Sequence, residues 1–144
     1  MAADFLHTAG IALHHQCLIL VRGSLGGSLE LESKLWKGME AFGRDGATWL
    51  PYYDNADYVA LGPDDSIKAS IYSRAEAGAV VVVSNLGAET RQASVRLKLD
   101  GLVLPPNLTA TDMVSGDDVA ISNGQMAFPL KPFGFRVIWV KPAA

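Results

Sequence analysis

The densest chemistry in this chain lies where two tyrosines run into acids: Tyr52-Tyr53-Asp54-Asn55, with Asp57 two residues on. Hydrolysis of a glycosidic bond needs two carboxyl groups flanking it, about 5 Å apart for retention or about 6.5–9.5 Å apart for inversion. Asp54 and Asp57 are the carboxylates that stand beside clustered aromatics. Ring faces beside acids suit a sugar, whose apolar face stacks on them. The same residues also read as a turn, because Asp-Asn is turn chemistry, with the tyrosines packing a helix onto the segment that follows. The turn is the reading adopted, and no residue is assigned a catalytic role.

Other reactive side chains fall short of a constellation. His7, His14, His15 and Cys17 are close together, and His15-x-Cys17 would place two zinc-type ligands on one strand face. No other histidine or cysteine exists to complete a site, so neither a metal nor a cofactor is expected. A serine nucleophile needs a base oriented by a third group, and the chain has no Gly-x-Ser-x-Gly elbow. Gly23-Ser-Leu-Gly-Gly27 lacks the lysine of a phosphate loop and the spacing of a dinucleotide fingerprint, so it reads as a linker. Asn107-Leu-Thr109 has the form of a glycosylation sequon but reads as a turn after Pro105-Pro106. Trp36, Trp49, Tyr52, Tyr53, Tyr58 and Trp139 remain. Such rings are more often core, or buried contact with a neighbouring domain, than a sugar platform. The carbohydrate-binding candidates are Trp36, Trp49, Tyr52, Tyr53 and Asp54.

The elements that must position these residues divide the chain. Gln16 to Val21 reads as a buried strand. Ser28 caps a helix running to about Phe42, with Leu29, Leu35, Trp36, Met39 and Phe42 as its apolar stripe, Glu30 and Glu32 in its first turn and Gly43 as its stop. Ala47 to Asn55 reads as extended, since Pro51 biases Leu50 away from helix. From Ile67 the period changes. Ile67, Ala69 and Ile71 alternate with Lys68, Ser70 and Tyr72, and Val95, Leu97 and Leu99 alternate with Arg96 and Lys98. Ala79 to Val83 is a β-branched run suited to a strand covered on both faces. Strands are also expected over Leu108 to Val114, Val119 to Ile121, Gln125 to Leu130 and Phe133 to Val140. Asn123-Gly124 is the strongest hairpin signal. No helix is expected after Phe42. The reading is mainly β: an antiparallel Greek-key sandwich of about 7–8 strands with one N-terminal helix. It divides into an appendage over 1–58 and the sandwich over 59–144.

Composition agrees with a packed core. The 144 residues are 49% hydrophobic and 19% charged, with net charge −3. Acids and bases are interspersed, so there is no basic stripe to neutralise phosphates and nucleic acid is not an expected partner. The apolar runs fall short of the about 20 residues that span a bilayer, and no membrane partner is expected. The N-terminus lacks the positive region of a signal peptide, so the chain is expected to start as a cytosolic protein or as a fragment. The compartment stays open.

Several segments resemble a known architecture. Tyr72-Ser-Arg74, Gly78-Ala-Val-Val-Val-Val-Ser-Asn-Leu86, Thr111-Asp-Met-Val-Ser-Gly116, Gly124-Gln-Met-Ala-Phe-Pro-Leu130 and Pro132-Phe-Gly-Phe-Arg-Val-Ile-Trp-Val140 are similar to the C-terminal β-sandwich of α-amylase-type glycoside hydrolases. Leu35-Trp-Lys-Gly-Met-Glu-Ala-Phe-Gly43 with Trp49-Leu-Pro-Tyr-Tyr53 resembles the tail of glycoside hydrolase family 123-like proteins, in which such a sandwich follows a catalytic barrel. The likeness covers about Leu35 to Val140, and 1–27 matches nothing nameable. The family's catalytic carboxylates sit in the barrel, which takes about 250 residues, so none carries over to this chain.

The resemblance implies a non-catalytic sandwich domain that packs on and stabilises a catalytic domain. Its expected partner is that domain or another copy of itself, met through an aromatic patch. The alternative is a free-standing carbohydrate-binding module using surface aromatics.

Overall fold

The computed structural model describes residues 28–74 and 77–143. The expected strand at 16–21, the linker at 23–27, and His7, His14, His15 and Cys17 lie outside the described residues.

Where both faces of a strand are covered, side chains of both parities must be apolar. β4 (Gly78–Asn85) meets this demand, and every one of its residues is buried. Ala79, Val81 and Val83 face one hydrophobic core, and Val80 and Val82 face another. β4 is thus the centre of three layers: one helix, a six-stranded sheet and a three-stranded sheet.

The six-stranded sheet has the order β1-β3-β4-β9-β6-β7. Its members are β1 (Thr48–Leu50), β3 (Ile67–Arg74), β4, β6 (Leu108–Asp112), β7 (Asp118–Val119) and β9 (Phe135–Pro142). The smaller sheet has the order β2-β5-β8, from β2 (Val59–Leu61), β5 (Arg91–Leu97) and β8 (Gln125–Leu130). Every pairing is antiparallel. The last strand, β9, returns to lie between β4 and β6, so the sheet closes only when the C-terminal segment docks.

The two sheets face one another across the larger core. Ile67, Ala69, Ile71, Ile138 and Val140 from one side meet Val59, Ala93, Val95, Leu97, Met126 and Phe128 from the other. On the smaller sheet the alternation is clean: Met126, Phe128 and Leu130 are buried, while Gln125, Ala127 and Pro129 are exposed. Pro129 has no N–H to offer, and it lies on an edge strand, where proline blunts further pairing.

The other face of the larger sheet is covered by α1 (Ser28–Phe42). Leu35, Met39 and Phe42 recur at helical spacing, and each is at most 2% exposed against Tyr72, Val80, Val82 and Val137. Gly43 ends the helix with φ 87°, its N–H donating to the carbonyls of Met39 and Glu40. A 3-10 turn, Arg44–Gly46, follows. The notional division at 58/59 passes through this packing. β1 is paired with β3 through Trp49 and Tyr72, and α1 supplies one wall of the second core.

Several boundaries differ from the sequence reading. Nine strands are present among the described residues, rather than about seven or eight. Only Thr48–Leu50 of the expected 47–55 stretch is strand, because Pro51 starts a turn closed by Asp54 N–H to its carbonyl. Leu99 does not continue β5. It opens a four-residue helix, α2 (Leu99–Leu102), so the expectation of no helix after Phe42 is corrected. Leu102, buried in the inter-sheet core, explains the departure: the chain must turn inward to plug that end. β6 stops at Asp112, whose side chain caps the next turn, and β7 spans only Asp118–Val119. β9 begins at Phe135, since Phe133 sits at φ 56° in the preceding turn.

The Asn123-Gly124 hairpin forms. Both residues have positive φ, 50° and 82°, as a two-residue primed turn requires, and Ser122 and Gln125 exchange both backbone hydrogen bonds across it. It carries the chain from the larger sheet to the smaller.

Candidate functional site

The aromatic residues singled out by sequence do not share one environment. Trp139 belongs to the fold. Its Nε1 donates to the Ala77 carbonyl at 2.8 Å, its ring meets Phe42 edge to face at 5.8 Å, and Lys141 Nζ stands 4.6 Å over it. Tyr58 packs against the inter-sheet core. Trp36 lies half-buried on α1 against the helix-side core, with the Arg44 guanidinium 5.7 Å from its ring centre. The same guanidinium is 5.6 Å from the Tyr72 ring, so Arg44 bridges helix and sheet through two cation–π contacts.

Trp49, Tyr52, Tyr53 and Asp54 do come together, because a short strand feeds directly into a tight turn. Trp49 is half-buried on β1 and packs toward the helix-side core. Its Nε1 is buried with no hydrogen-bond partner among the described residues. The turn places Tyr53 over it, ring centres 6.3 Å apart at 86°. Tyr52 meets Tyr53 at 5.2 Å and 84°. These are edge-to-face pairs, so the three rings do not form one flat platform. Tyr53 is 64% exposed, and Asp54 is open to solvent.

Two residues that the sequence reading did not single out hold this cluster. Asn55 is 6% exposed, and its Nδ2 donates to the carbonyls of Leu50 at 3.2 Å and Ala69 at 2.8 Å. Its own carbonyl accepts from the N–H groups of Tyr58 and Val59. Ser70, placed by alternation on the polar face of β3, is fully buried, and its Oγ accepts from the Tyr52 N–H at 3.0 Å. Asn55 thereby satisfies a β3 carbonyl beyond the reach of the short β1. The available signal was the Asp-Asn pair itself, which marks a turn but not its anchoring to a strand.

Asp54 and Asp57 are both exposed. The buried carboxylate among the described residues is Asp112, 5% exposed, and it is engaged within the fold. Its Oδ1 accepts from the N–H groups of Val114 and Ser115, and its Oδ2 accepts from Arg136. Among the described residues no group of three histidine, cysteine or acidic side chains is placed to hold a metal ion, and no helix is long and apolar enough to cross a membrane.

No family model matches the sequence, and no curated protein matches it. Solved structures do share its shape. A GH30 endoxylanase from Clostridium papyrosolvens C71 superposes with a TM-score of 0.59 over 98% of this chain and 39% of its own, at 14% identity. An Anoxybacillus α-amylase gives 0.58 over 90% of this chain and 25% of its own, at 12% identity. A maltogenic α-amylase from Thermotoga neapolitana gives 0.57 over 90% and 29%, at 8% identity. The chain therefore spans well under half the length of each of these glycoside hydrolases. At such identities the likeness is one of fold: an antiparallel sandwich of a kind found within larger sugar-cleaving enzymes.

Proposed function

We propose that this chain is a non-catalytic β-sandwich domain that accompanies a glycoside-hydrolase catalytic domain, packs on it and stabilises it. The observation that carries this reading is the shared fold with parts of three glycoside hydrolases, of which the chain spans 25%, 29% and 39%. The engagement of Asp112 by Arg136 and by its own turn supports it, because a glycosidase carboxylate must be available to substrate.

The surface assigned to the partner is the α1 side. The smaller sheet presents Ala60, Ser94, Arg96, Gln125, Ala127 and Pro129 outward, opposite the buried Val59, Val95 and Met126. Those residues offer little apolar area to bury. Around α1, by contrast, Trp36 and Trp49 are only half-buried and extend the helix-side core outward.

The test has two parts. The purified full chain is assayed on starch, xylan and aryl glycosides, with no hydrolysis expected. The coding sequence around the codon for Met1 is read for a catalytic domain, in frame or adjacent, which is expected. Hydrolysis that survives in an Asp54→Ala, Asp57→Ala double variant, or that is lost with it, overturns the proposal in either case.

A further inference from the structure

We infer that Asn123 is a spontaneous modification site, where water converts the asparagine to isoaspartate and unpins the corner between the two sheets. This is independent of the accessory role.

The reaction needs an asparagine whose side chain is accessible and unheld, followed by a residue that leaves its backbone nitrogen unhindered. The asparagines of the chain are Asn55, Asn85, Asn107 and Asn123. Asn55 and Asn85 are buried, and their amides are committed to backbone carbonyls. Asn107 is exposed, but the branched side chain of Leu108 follows it and hinders the nitrogen. Asn123 precedes a glycine, and the other three do not. It is exposed and borders two surface clefts. No hydrogen bond holds its side chain among the described residues.

The Gly124 nitrogen, its proton lost to solvent, bonds to Asn123 Cγ. The Cγ–Nδ2 bond breaks and ammonia leaves with a proton, closing a cyclic imide. Water then opens the imide. Opening at Cγ gives aspartate, and opening at the original main-chain carbonyl gives isoaspartate, whose backbone runs through the side chain and is longer by one carbon. No oxidant or reductant takes part. The closed primed turn, with both central residues left-handed, holds the nitrogen away from Cγ, so attack waits on a brief opening of the tip.

The added carbon falls where the fold has no slack. Gly124 is buried, and its carbonyl accepts from the Leu97 N–H at 2.8 Å. A Cβ on Gly124 would stand 2.9 Å from both the Leu97 carbonyl oxygen and Leu99 Cδ2. The two-residue loop is closed by the paired bonds between Ser122 and Gln125, and a longer main chain cannot keep both in a primed turn. Aspartate does keep the turn, because Asp-Gly suits the same geometry. The fold therefore resists the isoaspartate backbone and not the new charge.

The full chain is held in mildly alkaline buffer for several weeks, folded and in urea. Acidic forms are separated by ion exchange and mapped by peptide mass spectrometry. Asn123 is expected to convert before the other asparagines of the folded chain, and faster in urea than folded. The isolated isoaspartate form should melt about 5 °C below the parent, while freshly purified Asn123→Asp, with the same charge, melts with the parent. In Asn123→Gly the early acidic form is absent. Conversion of Asn55, Asn85 or Asn107 ahead of Asn123 overturns the inference. So does a folded chain that gains no acidic form, an isoaspartate form that melts with the parent, or an Asn123→Asp variant that melts as low as the isoaspartate form.

Discussion

Arg136 Nε on β9 lies 2.8 Å from Asp112 Oδ2 on the neighbouring strand β6, and the same guanidinium stands 4.8 Å from the Phe128 ring of the opposite sheet. One side chain thus joins two strands of one sheet to a strand of the other at the margin of the core. Asp112 also closes the Met113–Gly116 turn through its Oδ1. Its side chain is 7% exposed and that of Arg136 25%, so the pair is screened on one side only.

Removing one partner should therefore cost more than losing a surface ion pair and less than uncovering a fully buried charge. Asp112→Ala is expected to lower unfolding stability by about 3 kcal/mol, since it frees two turn N–H groups and leaves Arg136 without its carboxylate. Asp112→Asn keeps an oxygen for the turn and should cost about 1 kcal/mol. Urea unfolding of the two variants checks the order, and equal losses would show that the turn bonds carry none of the effect.

Asn85 connects two loops at one end of the sandwich. It is fully buried. Its Nδ2 donates to the carbonyls of Glu89, Leu130 and Lys131, and its Oδ1 accepts from the Gly87 N–H. Asn85→Leu keeps the branching of the side chain but is bulkier and strands these groups in a dry site, so a loss of at least about 2–3 kcal/mol is expected. Thermal denaturation of Asn85→Leu beside Ser84→Ala tests it. A melting temperature within a degree or so of the parent would mean that water replaces the amide.

Removal of α1 should make the chain associate more strongly. Without it Tyr72, Val80, Val82 and Val137 form a contiguous apolar face open to water, the kind of surface that promotes association. A fragment spanning 47–144, which lacks α1 but keeps β1, is expected to aggregate or oligomerise in light scattering, while the full chain carrying Phe42→Ala stays folded but loses about 3–5 kcal/mol. A monodisperse, monomeric fragment would show that the helix is dispensable.

Glycine substitutions should rank by what each new side chain meets. Gly78 (φ 98°) and Gly43 (φ 87°) both occupy the left-handed region, at a cost of about 1–2 kcal/mol for alanine. A Cβ at Gly78 overlaps the Val140 carbonyl oxygen, which is fixed in the sheet. A Cβ at Gly43 overlaps Arg74 Nη1, the end of a flexible side chain that donates to the Gly43 carbonyl at 3.0 Å. Gly78→Ala should therefore destabilise more than Gly43→Ala in denaturant unfolding, and the reverse order would mean that β9 yields at Val140.

The sandwich was legible because a sheet writes its two faces into alternate residues. Ile67-Lys68-Ala69-Ser70-Ile71 and Gln125-Met126-Ala127-Phe128 show period two, and the unbroken run Ala79–Val83 marks the strand covered on both sides. The edges were harder to read. β1 and β7 hold three and two residues, too few to show a period. Pairing across long separations, as between Asn55 and Ala69 or Asp112 and Arg136, leaves no local pattern. Likewise, the list of aromatic residues was visible from composition, but whether a ring is buried depends on which strand its neighbours join. That is why Trp36 and Trp49 part company with Tyr53.

Val103 offers the converse of the glycine test. It caps the C-terminus of α2 at φ 56° and ψ 47°, a left-handed conformation that β-branched residues resist, and it is 79% exposed. Its side chain therefore gains little from packing while its backbone is strained. Its N–H still donates to the Asp100 carbonyl, a bond that any residue except proline can make. Val103→Gly relieves the strain but adds freedom to the unfolded chain, leaving a net gain of about 0.5–1 kcal/mol. Val103→Asn, which tolerates the same region, should gain a similar amount without that entropic offset. A rise in the urea midpoint for both variants is the expected result. A fall in both would mean that the Val103 side chain packs more tightly than its exposure indicates.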